Sequence, residues 1–239
     1  MAHQHPACIS VVIPTLQRAP QLEALVRACA AHPRIAEVIV VNNATAPLDF
    51  SCEGAHVLQQ EENIFVNPAW NLGVEHATAD LVALVNDDLT VDPRLWDRIP
   101  RWLSLPFVGI VGADGTHANR PGDRRLRIRP ATYDHVRTGF GMLMAMRRRD
   151  YVPVPPGPLI WGGDDWLFQA QRRPNWVFRG AGLETDMSTT SGSPEFTRLR
   201  AEEIEQTRHI LEQHGSPRWW NKGTAALTRL GRLRGRSLS

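Results

Sequence analysis

Over residues 8–90 the chain alternates short, unbroken apolar runs with apolar residues at helical spacing. Ile9-Ser10-Val11-Val12-Ile13 is a β-branched run stopped by Pro14, and Val38-Ile39-Val40-Val41 is a second, closed by Asn42-Asn43. Runs this short that are apolar at successive positions belong to strands covered on both faces. Between them, Gln21 to Ala31 places Leu22, Leu25, Val26 and Cys29 on one helical stripe. Val57 to Gln59 is a short candidate third strand. Asn67 followed by Pro68 predicts a helix start, with the amide as N-cap and proline at the first helical position, running to about Ala77. Leu81 to Val85 is then another buried strand. The order β-α-β-(β)-α-β predicts an α/β domain on a doubly wound, mostly parallel sheet.

Beyond residue 90 the pattern loosens. Phe107 to Val111 reads as a strand, the arginine-rich segment 119–130 as a loop or edge hairpin, and Gly139 to Met146 as a glycine-spaced strand. The prolines from Pro153 to Pro158 forbid regular structure and lead into Trp161-Gly162-Gly163-Asp164-Asp165-Trp166. Asp164 is placed to cap a helix through Gln171. Pro194 to His214 predicts a charged amphipathic helix stopped by Gly215. The expected organisation is one domain over 1–193, with a half at about 8–90 and another at about 91–193, followed by a helical, basic extension over 194–239.

Composition narrows the class without naming a chemistry. At 239 residues, 42% hydrophobic and 22% charged, the chain is that of a globular protein rather than a disordered one. Its apolar runs are too short to span a bilayer, and Met1-Ala2-His3-Gln4-His5 lacks a secretion-signal pattern. A cytoplasmic location is the default expectation. Cys8, Cys29 and Cys52 are odd in number and not closely paired, which points to buried free thiols.

The net charge of +2 conceals three basic concentrations. These are Arg120, Arg124, Arg125, Arg127 and Arg129; Arg147, Arg148 and Arg149; and, after the last acid at Glu212, Arg218, Lys222, Arg229, Arg232, Arg234 and Arg236. Such clusters favour an anionic partner. With Trp219 and Trp220 interleaved, the tail suits either an anionic membrane surface, giving a peripheral location, or nucleic acid.

The candidate chemistry lies in two acidic pairs. The Leu81 to Val85 run ends in Asn86-Asp87-Asp88, and adjacent carboxylates at a strand terminus either form a polar turn or need a cation between them and their surroundings. A divalent ion carrying phosphate oxygens fits, because magnesium is commonly held by one or two carboxylates plus substrate phosphates. The second pair, Asp164-Asp165, is either a helix start with an exposed neighbour or two acids whose mutual repulsion raises one pKa toward neutrality.

Taken in order, Ile9 to Thr15, Val38 to Thr45, Glu62-Asn63 with Asn71-Leu72-Gly73, and Asn86-Asp87-Asp88 resemble the signatures of the GT-A family 2 glycosyltransferases. The resemblance covers roughly residues 8–190. It implies a nucleotide-diphospho-sugar donor, a divalent cation (Mg2+ or Mn2+), inversion at the anomeric carbon and a hydroxyl acceptor. Carried over by position, Pro14 and Thr15 would stand at the lip of the nucleotide pocket. Asn42 takes the place of an aspartate that accepts a bond from the base, and Asn71 is a donor-side or structural amide. Asn86 and Asp87 would lie near ribose and sugar, with Asp88 as the metal ligand. Asp165 would be the general base and Asp164 its partner or an acceptor ligand, an assignment that can also be reversed. No histidine follows where the family often completes its metal shell, leaving Asp186 or Glu184 for that role. The sequence departs from the family at Phe65 and Pro68, where glycines are common. Ser188 to Gly192 could form a loop over the donor.

The acceptor is left open between a cell-envelope or lipid-linked glycan and a modified DNA base. Two other classes stay in view. A sugar-nucleotide nucleotidyltransferase would carry a glycine-rich loop after the first strand, where Pro14-Thr15-Leu16-Gln17-Arg18 has no glycine. A non-catalytic nucleotide-sugar or nucleic-acid binding module would keep the fold without the turnover.

Overall fold

The computed structural model describes residues 8–186, 194–214, 219–220, 222–224, 226 and 229. Segment 188–192 and Arg218, Arg232, Arg234 and Arg236 lie outside the described residues. In chain order the first half contains β1 (Ile9–Thr15), α1 (Leu22–Ala30), β2 (Ile35–Asn42), β3 (Ala55–Gln59), α2 (Val66–His76), β4 (Leu81–Val85), β5 (Leu89–Val91) and α3 (Arg94–Leu103). The second contains β6 (Val111–Ala113), β7 (Arg127–Pro130), α4 (Tyr133–Arg137), β8 (Leu143–Arg147), α5 (Gly163–Ala170), β9 (Trp176–Arg179), β10 (Leu183–Thr185) and α6 (Pro194–His214).

Eight strands form one sheet in the order β3-β2-β1-β4-β8-β6-β9-β7, and β10 pairs with β5 in a separate antiparallel ribbon. β3, β2, β1 and β4 are parallel neighbours, while β8 runs against both β4 and β6. The parallel part is apolar on successive residues because both of its faces are covered. Val11 and Ile13 join the layer beneath α1 and α3, whereas Val12 joins the layer beneath α2 and α5. Trp96 and Phe168 are fully buried in opposite layers, each contributing roughly 1.5–3 kcal/mol. A Cβ on Gly73 would stand 2.2 Å from Val12 Cγ1, so glycine lets α2 lie directly on β1.

Several expected boundaries move. The residue preceding α2 is Phe65, not Asn67; Asn67 lies inside the first turn, fully buried, and its amide donates to the Pro158 carbonyl at 3.0 Å. The strand expected from Phe107 begins at Val111, because Phe107 is half exposed and Val108 to Ile110 form an irregular approach. Gly139 adopts a left-handed φ of 109° and leads a 3-10 turn, so β8 starts only at Leu143. Arg147 is not free for an anion: it is buried and donates to the carbonyls of Leu103, Leu105 and Val108, tying β8 to the end of α3. The helix over 194–214 is present as expected. Among the described residues no helix is long and apolar enough to cross a membrane.

Candidate active site

The carboxyl ends of β2, β1 and β4 lie side by side and present Asn42, Thr15 and the Asn86-Asp87-Asp88 turn. Chain order reverses between β1 and β4, and in open α/β sheets ligands bind in the crevice at such a switch point. Thr15 spans it. Its hydroxyl donates to Asp87 Oδ2 at 2.6 Å and accepts from the Gln17 N–H at 2.8 Å. Burial and the charge of Asp88 together outweigh that hydrogen bond and raise the pKa of Asp87.

Asp88 stands one residue before β5. The β5–β10 register sets Thr185 opposite Leu89, which brings Thr185 Oγ1 to Asp88 Oδ2 at 2.8 Å. Asn119, in a left-handed conformation with φ 57°, holds Thr185 from behind: its Oδ1 accepts the Thr185 N–H at 2.8 Å and its Nδ2 donates to the Thr185 carbonyl at 3.0 Å. The other oxygen of Asp88, Oδ1, is buried and unpartnered among the described residues. Leaving a buried carboxylate oxygen unpaired is costly, and a hard cation is a suitable partner for it.

Asp88 also faces an adjoining cleft of ≈ 580 Å³ lined by Gln21, Glu184, Asp186 and Arg120. There Gln21 Nε2 donates to Asp186 Oδ2 at 2.9 Å. No group of three or more His, Cys, Asp or Glu able to hold a metal occurs among the described residues. A divalent ion at Asp88 would thus draw most of its ligands from phosphate and water, the usual habit of magnesium.

Asn42 and Asn71 are both engaged within the protein. Asn42 is fully buried; its Nδ2 donates to Gln59 Oε1 at 2.7 Å and the Ala46 carbonyl at 2.8 Å, while Oδ1 accepts from Ala44 N and Gln17 Nε2. Asn71 pairs with both backbone groups of Val154 and accepts from the Tyr151 hydroxyl. Each amide is fitted for fixing a loop.

The main cleft, of ≈ 630 Å³, joins the two acidic pairs. Pro14, Asn86, Asp87 and Asp88 line it together with Trp161 and Asp164. Asp165 is not among its lining residues. Asp164 and Asp165 occupy the first turn of α5, and the residue before that helix is Gly162, not Asp164. Gly162 has φ 81°, and a Cβ there would meet Thr207 Oγ1 at 2.0 Å, so the turn requires glycine. Burial, followed by the charge of Asp165, lifts Asp164 to about 7. Burial also raises Asp165, against the pull of Arg137. Asp165 lies near enough to Tyr133 to push its hydroxyl further upward.

α6 holds this side in place. Glu203, 2% exposed, accepts the N–H groups of Ile160 at 2.9 Å and Trp161 at 2.8 Å through Oε2. The loop entering α5 is therefore bonded to a carboxylate some forty positions later in the chain. Trp166 is a core residue whose Nε1 donates to the Val152 and Pro153 carbonyls. Thr185, Asn119, Arg137 and Glu203 were not expected at the site. None carries a local motif, and each arrives through tertiary contact.

This arrangement, a sheet whose switch point carries an acidic turn opposite a second acidic pair, is the GT-A form of nucleotide-sugar-binding α/β domain. Residues 10–155 match the profile of glycosyl transferase family 2, and the chain belongs to that family. Among solved structures it is similar to a mannosyltransferase, PcManGT from Pyrobaculum calidifontis, in complex with GDP-Man and Mn2+. The TM-score is 0.57 at 16% identity, over 89% of this chain and 66% of that one. That likeness is one of fold. No curated protein sequence gave a significant match.

Proposed function

We propose that the protein transfers a glycosyl group from a nucleotide-diphospho-sugar to an acceptor hydroxyl, with inversion at the anomeric carbon and with a divalent cation, Mg2+ or Mn2+, at Asp88. The observation that carries this reading is the single cleft lined by both the Asn86-Asp87-Asp88 turn and Asp164. The family membership and the GDP-Man and Mn2+ of the structural neighbour support the donor and the cation.

The unpartnered Asp88 Oδ1 and the hard-oxygen character of the turn fit such an ion. When bound, the ion would neutralise charge gathering on the leaving diphosphate. The protein's own groups do the rest. Thr185 holds Asp88 Oδ2 and so aims Oδ1, and Thr15 holds Asp87 against the same crevice. Across the cleft, an inverting transfer needs a base that takes the acceptor proton as the hydroxyl oxygen attacks the face opposite the diphosphate. Asp164 lines the cleft, and its pKa near 7 keeps a useful fraction ionised while making the carboxylate a competent proton acceptor. Asp165 is its charge partner, the reverse of the order that the family resemblance favours. Trp161 lines the same cleft and brings an aromatic side chain to it.

Release of free sugar or its transfer to a simple alcohol from a panel of nucleotide-diphospho-sugars, lost with EDTA and restored by Mn2+, is the direct test. Turnover that is indifferent to chelation would overturn the metal assignment. Turnover that survives Asp164→Asn unchanged would overturn the base.

A further inference from the structure

A second charged feature lies outside the catalytic cleft and has no part in the chemistry above. On α3, Leu95, Trp96, Ile99 and Leu103 face the core, which leaves Arg94, Asp97, Arg98 and Arg101 on the opposite stripe at positions i, i+3, i+4 and i+7. Arg34, from the turn before β2, and Arg124, from the loop before β7, border that stripe. Together these five arginines line a trough of ≈ 350 Å³ in which Asp97 is the one acid and Leu126 the apolar wall.

The walls are fixed. Arg94 Nη1 donates to the Asp123 carbonyl at 3.2 Å, and the Asp123 N–H donates to the Gly180 carbonyl at 2.9 Å, pinning the arginine-rich loop between α3 and the segment after β9. Leu126 packs on the core layer beneath α3. Arg94 is ion-paired with Asp92 at 2.6 Å, and Arg34 reaches Asp97 at 3.4 Å. Arg98, Arg101 and Arg124 form no ion pair among the described residues, and all three are exposed. Three guanidinium groups converging on one concavity repel one another unless an anion lies among them, and the planar guanidinium fork matches phosphate oxygens.

We infer that this trough is a second ligand site, distinct from the donor cleft, that binds phosphoryl groups through Arg98, Arg101 and Arg124. Phosphoryl groups reach such a site either as a soluble phosphate or as the headgroup of an anionic lipid, and the two sources separate by experiment.

The test uses the full chain, the double variant Arg98→Glu/Arg101→Glu on one wall and Arg124→Glu on the other. Unchanged thermal midpoints show that the variants fold, as expected for exposed positions. Pyrophosphate binding is measured calorimetrically at low salt with EDTA, so that metal-assisted binding at Asp88 does not contribute. Sedimentation with vesicles of phosphatidylglycerol and phosphatidylcholine in equal parts, against phosphatidylcholine alone, forms the second arm. The expected result is binding weakened about tenfold or more in each variant and falling with salt. Loss in the pyrophosphate arm alone marks a soluble ligand, and loss in the vesicle arm marks a headgroup. Binding in both arms that the variants leave unchanged, or absent from the wild type, overturns the site. Retention of duplex DNA alone, abolished by the same variants, reassigns the trough to nucleic acid and also overturns the inference. Donor turnover on a soluble acceptor stays unchanged in all variants, so a failure here is separable from a failure of the catalytic reading.

Discussion

The two sides of the cleft are built by opposite means. On the donor side, Asn86-Asp87-Asp88 continues a strand whose neighbours β1 and β8 fix it in the sheet, and its partners Thr15 and Thr185 lie on strands as well. On the acceptor side, Asp164 enters from a proline-rich loop, and its position depends on a helix that arrives much later in the chain. Sheet-borne groups inherit the rigidity of the backbone ladder, whereas loop-borne groups need an external clamp. On the proposed reading, the rigid side would serve the constant chemistry of the diphosphate, and the clamped loop the acceptor.

The sharpest way to break this comparison is at the carboxylates. Asp88→Ala is expected to lower kcat/KM by about a hundredfold to a thousandfold, since the proposed ion would stabilise the added charge on the leaving diphosphate; nucleoside diphosphate affinity in Mn2+, read by calorimetry, should fall as well, because the same ion would hold the diphosphate outside the transition state. Asp164→Asn should cost between about a hundredfold and ten-thousandfold in kcat, the range of general-base catalysis. It should leave nucleoside diphosphate affinity intact. If Asp165→Asn proves the more damaging of the two, the roles of the pair are exchanged.

The same variant has a pH signature. Because the Asp164 carboxyl titrates higher in the fold than in the unfolded chain, its contribution to wild-type stability declines as pH rises from about 4 to about 7. Asp164→Asn removes that decline, so its thermal midpoint should match wild type at pH 4 and exceed it at pH 8. The wild-type rate should in turn fall as pH drops through about 7. A midpoint difference that does not change with pH would sink this account of Asp164.

Smaller effects test the supports. Glu203→Ala strips two loop N–H groups of their acceptor and is expected to cost about 1–3 kcal/mol for each donor left buried, seen in urea denaturation. It should lower kcat while sparing nucleoside diphosphate binding. Thr185→Val should act in the reverse sense on the site, weakening Mn2+ affinity by about tenfold to a hundredfold, with a stability loss of about 1–3 kcal/mol from the Asp88 oxygen left without its donor. If Glu203→Ala and Thr185→Val both alter donor affinity equally, the two sides are not independent.

Legibility in the sequence follows the same division. The runs Ile9 to Ile13, Val38 to Val41 and Leu81 to Val85 announce their strands because burial on both faces leaves no polar position, and the acids ending the last run stand out against it. α3 was hidden by Pro100, which removes one backbone donor inside an otherwise regular stripe of Leu95, Ile99 and Leu103. β5 and β10 are three residues each and exist by pairing with one another, so neither has a pattern of its own. Asn42 and Asn71 were legible as important amides, but their saturation by Gln59, Ala46 and Val154 is a tertiary fact. Phe65 takes a φ of 65°, the left-handed region that glycine enters freely. Phe65 lacks that freedom, and the Asn63 side chain accepts its N–H at 2.8 Å, which holds the turn.

The bond from Glu203 to the loop before α5 has a consequence for recombination. The segment that matches the family ends at residue 155, ahead of both Asp164 and its clamp. A graft that exchanges only the loop at 156–170 between two such proteins would part Ile160 and Trp161 from the carboxylate shaped to receive them. Loop and distant helix are then one discontinuous unit, and a chimera that is to keep the position of Asp164 must carry both together.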